Sequence, residues 1–85
     1  MKSLTTPDFW IAYAKLPLKI KQKARKTYKL WQENPSHPSL HFKKVGKNLW
    51  SVRITQNYRA LALKKGDEYY WVWIGTHDEY EALLS

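Results

Sequence analysis

The hydrophobic period of this chain changes once, at Asn34-Pro35, and that change limits the fold more than any other feature. Before it, Leu16, Ile20, Ala24, Thr27, Tyr28 and Trp31 recur at three- and four-residue steps, the spacing of one helix face. After it, apolar residues alternate or fall in short blocks, as strands require. Helices followed by a run of strands predict an α+β domain rather than a repeated strand-helix-strand unit.

The residues between these regions set the element ends. Thr5-Thr6-Pro7-Asp8 has a hydroxyl to accept an orphan N–H, a proline for the first helical position and an acid for the positive dipole end. It predicts a helix over about residues 7–15, ended by Leu16-Pro17. The almost unbroken run Phe9 to Ala14 suggests burial on more than one side of that helix. The periodic stripe predicts a second, longer helix, with Lys19, Lys21, Lys23, Arg25, Lys26 and Lys29 on its outer surface and a stop near Glu33-Asn34-Pro35. Four strands are expected at 40–45, 49–55, 58–65 and 69–75, joined by connections short enough to make neighbours antiparallel. His77 to Leu84 reads as a final helical turn or two capped by Thr76. The expected architecture is a helical hairpin packed on a curved four-stranded antiparallel sheet, as one domain over residues 1–85.

A chain of this size hides only about 64% of its unfolded surface, so its core depends on large side chains. Five Trp, six Tyr and two Phe supply them. With no cysteine, neither a disulfide nor a thiolate metal site is expected, and a cytoplasmic location is the default. The N-terminus lacks a signal-like apolar run, and no segment has the length to span a bilayer. Fifteen Lys and Arg against seven Asp and Glu leave a net charge of +8, which favours RNA, DNA or an acidic protein segment as partner. The plainer alternative is that the lysines only keep a Trp-rich domain soluble.

Alternation puts Trp50, Val52 and Ile54 on one face of their strand and Ser51, Arg53 and Thr55 on the other, so Arg53 points away from the core. In the last strand it puts Tyr70, Val72 and Ile74 on one face and Tyr69, Trp71, Trp73 and Gly75 on the other; both faces being apolar, that strand should be central. Arg53, Arg59 and His77 lie in or just past strand segments that a sheet can bring together. Guanidinium groups suit phosphate oxygens, and an imidazole suits proton transfer near neutrality. The competing reading pairs both arginines with Asp78, Glu79 or Glu81 on an ordinary surface. His37 and His41 stand four apart, but Pro38 between them and the lack of accompanying ligands argue against a metal site. They fit better as polar contacts beside Lys43, Lys44 and Lys47, which could equally be a charged strand edge that deters aggregation. No Gly-rich phosphate loop, carboxylate pair or nucleophile signature is present, which argues against ATP chemistry and hydrolase triads.

Leu16-Pro17, the basic helix, Asn34-Pro35, Leu49-Trp50-Ser51-Val52-Arg53-Ile54, Tyr58-Arg59 and Trp73-Ile74-Gly75-Thr76-His77 occur in an order that resembles the RelE/ParE superfamily of bacterial toxins. The resemblance covers nearly the whole chain in element order and is sharpest over about residues 49–77. It implies a toxin held by a cognate acidic antitoxin. In the RelE-like branch such a toxin enters the ribosome and cleaves mRNA without a cofactor, by driving a 2′-hydroxyl onto its own 3′-phosphate. In the ParE-like branch it inhibits DNA gyrase, and a third reading is an inactive binding module. On the nuclease reading Arg59 and Arg53 would stabilise charge on the phosphate and His77 would be the general acid or base. Lys43, Lys44, Lys47, His41 and His37 would contact RNA, and Tyr58 or Tyr80 would stack on a base. The chain departs from the pattern where Tyr80 follows His77 by only three residues and where Ser51 replaces a strand lysine.

Overall fold

The computed structural model describes residues 2–85. Its elements are β1 (Lys2–Thr5), α1 (Pro7–Ala14), α2 (Leu18–Glu33), a 3-10 turn at Pro38–Leu40, β2 (Lys43–Gly46), β3 (Leu49–Thr55), β4 (Tyr58–Lys65), β5 (Glu68–Thr76) and α3 (His77–Leu84). The strands form one five-stranded sheet in the order β1-β5-β4-β3-β2. Neighbours are antiparallel except β1, which runs parallel to β5. Among the described residues no helix is long and apolar enough to cross a membrane.

The α+β class agrees with the sequence and β5 is an interior strand, next to the edge, while the strand count rises from four to five. Lys2-Ser3-Leu4-Thr5 adds the extra strand along β5, with Leu4 opposite Tyr70 and Thr5 opposite Trp71. At the other edge the first expected strand starts late. Leu40 belongs to the 3-10 turn and is buried, and His41 has φ 44°, a left-handed conformation that interrupts an extended strand before Lys43.

Thr6 caps α1: its Oγ1 accepts from the Phe9 N–H and donates to the Trp71 carbonyl, which ties the helix start to the sheet. Only Phe9, Ala12 and Tyr13 of α1 pack against the core; Trp10 and Ile11 are exposed, so the continuous apolar run is not buried all round. From α2, Ala24, Thr27 and Trp31 are buried as the stripe predicts, while Tyr28 lies at the margin and hydrogen-bonds Ser3. Trp31 sits at the centre, edge-on to Phe42, Tyr69 and Trp71 and stacked on Tyr28. Val52, Ile54, Ala60 and Ala62 complete this layer from the sheet.

Strict alternation fails in β5. Leu61 pairs with Trp73 and Ala62 with Trp71, so Val72 is an extra residue, a β-bulge. Beyond the bulge the faces exchange, and Ile74 joins Tyr69 and Trp71 in the helix-side core instead of lying opposite them. The opposite face carries Ser51, Arg53, Arg59 and Leu61, and α3 folds back across part of it.

Candidate functional site

Register places the two arginines side by side. Arg53 of β3 and Arg59 of β4 are direct cross-strand partners, so their Cβ atoms lie about 5 Å apart on the face opposite α1 and α2. On its other side Arg59 pairs with Gly75, which has no side chain to crowd it. One terminal nitrogen of Arg59 donates to the carbonyls of Thr55, Gln56 and Tyr58, which fixes the guanidinium at the β3–β4 turn. Burial and the neighbouring Arg53 charge lower its pKa from the ordinary arginine value, partly opposed by Tyr80 and Glu81.

His77 begins α3, and its backbone N–H donates to the Asn57 carbonyl at 2.7 Å, so the β5 end and the β3–β4 turn hold each other. Its Nε2 meets Glu81 Oε1 at 3.2 Å, an i,i+4 contact across one helical turn. Among the described residues this is the one close contact between a basic side chain and a carboxylate, so neither arginine is bound to a carboxylate and the ordinary surface-pair reading of Arg53 and Arg59 is not realised. At the opposite end of the row, His41 Nε2 lies 3.5 Å from an Arg53 terminal nitrogen. His41, Arg53 and Arg59 therefore form a row on one sheet face, and His77 is tied to its Arg59 end through the β3–β4 turn and through Glu81, whose charge also acts on Arg59.

The other expected residues scatter. Lys43 pairs with Ser51 and shares the arginine face; Lys44 pairs with Trp50 and points to the helix side; Lys47 lies in the β2–β3 turn. His37 Nδ1 accepts from the Ser39 N–H and caps the 3-10 turn, a local structural use. Tyr58 packs against the helix-side core, on the face opposite Arg59. Tyr80 is 6% exposed and donates to Ser51 Oγ, which closes its ring to base stacking and corrects that expectation. The same bond explains why Ser51, rather than a lysine, suits its position: α3 covers it. The sequence offered Glu81 only as a partner for the arginines, whereas it meets His77; its spacing four residues after His77 on a helix was the available signal.

A family model of the ParE-like toxin domain matches residues 18–82. The chain belongs to that family. Solved structures of similar fold include RelE in the RelB–RelE antitoxin–toxin complex from Methanococcus jannaschii, at TM-score 0.76 and 18% identity over 96% of this chain and 99% of that one. A YoeB/ParE toxin from Agrobacterium tumefaciens gives 0.68 at 18% identity over 91% and 99%, and isolated Escherichia coli RelE gives 0.63 at 11% over 96% and 94%. No curated protein matches the chain in sequence. At these identities the structural likeness carries the fold of this ParE-like domain, and its chemistry has to be argued from its own side chains.

Proposed function

We propose that this ParE-like domain is the toxin of a toxin–antitoxin pair and acts as a ribosome-dependent endoribonuclease. The observation that carries the reading is the adjacent pair Arg53 and Arg59, neither bound to a carboxylate, with His41 beside Arg53 and His77 held at the neighbouring β3–β4 turn. A backbone phosphate seated on the two guanidinium groups has its developing charge stabilised by fixed donors. The 2′-hydroxyl attacks the adjacent phosphorus, its proton passes to a base, and the 5′-oxygen leaves with a proton from an acid, giving a 2′,3′-cyclic phosphate and a free 5′-hydroxyl. His77, braced by Glu81, is one proton carrier. His41 is the other candidate, and its left-handed backbone is the kind of local strain that collects at functional positions. The ribosome would hold the RNA in line for this displacement, since the face is an open row rather than an enclosing cleft.

A cognate antitoxin of acidic character fits the net charge of +8. Membership of the ParE-like family also keeps gyrase inhibition as a second reading. Both are tested with purified protein, ribosomes and a defined mRNA, alongside a gyrase supercoiling assay. Cleavage should require ribosomes and fall roughly 10²–10⁴-fold in His77→Ala and about 10²–10³-fold in Arg59→Ala, with circular dichroism unchanged. Intact mRNA together with failed supercoiling would transfer the function to gyrase and remove the catalytic role of His77.

A further inference from the structure

A second cationic feature lies beside the row, not in it. Between α2, the 3-10 turn and the end of β3 is a cavity of about 450 Å3, within the ordinary range for a small-ligand site. Lys23 and Lys26 line it from α2, Arg53 from β3, and Thr27, Ser39 and Thr55 contribute hydroxyl-bearing side chains; no carboxylate is in the wall. Thr27 is 5% exposed, so the polar lining reaches into the packed layer rather than stopping at the rim.

We propose that this cavity is a phosphate-binding subsite that takes a backbone phosphate of the same RNA strand, next along from the one held at Arg59. This rests on the RNA reading above and adds to it a direction for the strand. Three cations around one concavity repel one another unless an anion lies among them, and a phosphate accepts from guanidinium, ammonium and hydroxyl donors at once. Arg53 supplies the continuity. It is the cross-strand partner of Arg59, its terminal nitrogen reaches His41, and it also lines the cavity. A strand crossing the row therefore turns over the end of β3 toward α2, and the hydroxyls favour a multi-oxygen anion over a single glutamate side chain.

The test compares wild type, a Lys23→Gln/Lys26→Gln double variant, and a Lys2→Gln/Lys65→Gln control that removes the same charge at the opposite end of the sheet. Inorganic phosphate is titrated while the backbone amides of Thr27, Ser39 and Thr55 are followed by NMR. Affinity for a short single-stranded oligoribonucleotide is then measured against salt. Saturable shifts at the three amides should occur in wild type and control and vanish in the double variant. The slope of log affinity against log salt should become shallower by about 0.7 in the double variant, for the one phosphate no longer neutralised, and stay nearly unchanged in the control. Equal slopes in all three proteins, no phosphate-dependent shifts, or shifts produced only by a glutamate-rich peptide would each overturn the subsite. If the subsite holds while His77→Ala still cleaves with ribosomes present, the catalytic reading falls and the phosphate pocket stands.

Discussion

Trp31 concentrates more of the fold than any other side chain. It is 1% exposed, lies edge-on to Phe42, Tyr69 and Trp71, and so ties α2 to β5 and to the segment entering β2. Its indole N–H is buried without a hydrogen-bond partner, as is that of Trp71, so the ring contributes through area and edge-to-face contacts rather than polarity. Trp31→Ala should cost about 3–5 kcal/mol, a large part of the roughly 5–15 kcal/mol that holds a small domain. Urea unfolding followed by circular dichroism measures it, and a loss below about 1 kcal/mol would mean that the aromatic cluster is not the anchor. The candidate site has the same dependence on single residues. Arg53 and Arg59 could be read from strand alternation, because each points where its parity directs. Tyr80 could not: its burial comes from α3 folding over Ser51, a tertiary event with no local signature.

The helix that makes this contact is stabilised at its first turn. Thr76 Oγ1 accepts from the Glu79 N–H while Glu79 Oε1 accepts from the Thr76 N–H and hydroxyl, a complete capping box. The Thr76 backbone bond, then its side-chain bond, hold the Glu79 carboxyl below its usual pKa, so folding favours the ionised form. That contribution is present at neutral pH and is lost as pH falls through the depressed folded-state value. Thr76→Ala should cost about 1 kcal/mol, and in wild type α3 should loosen only in the acid range. Tyr80 ring resonances followed by NMR from pH 7 downward would show it; ring shifts equally stable at low pH in both proteins would refute the capping role. At this scale the sequence was informative where signals are local. The caps, the turns after Gly46 and at Gly66, and the ends of β3 and β4 all have nearby causes. β1 and the Val72 bulge lack them, since a four-residue edge strand pairs parallel across more than sixty positions and a bulge shows only in register with β4.

Across the molecule, charge is arranged as a cost that a ligand can relieve. The chain carries +8, and among the described residues no Lys or Arg side chain is paired with a carboxylate. Three of its seven acids, Asp78, Glu79 and Glu81, lie on α3, while Lys23, Lys26 and Arg53 line the cavity with no carboxylate in its wall. The longest dimension is 32 Å. At 0.01 M salt the Debye length is about 30 Å, so the cations repel one another across the whole domain, whereas at 0.15 M it is about 8 Å and only neighbours interact. Screening should therefore raise stability, because it weakens self-repulsion in the compact state more than in the expanded chain. A gain of about 1 kcal/mol corresponds to a rise in Tm of roughly 4–8 °C for a domain of this size. Differential scanning calorimetry in sodium chloride between 0.01 and 0.15 M measures that rise. Phosphate at matched ionic strength should add to it by binding the folded state, since linkage stabilises whatever form holds the ligand. A Tm that is flat or falls with salt would show that the acids on α3 already balance the field, and the open cationic face would then lose its energetic reason to seek a polyanion.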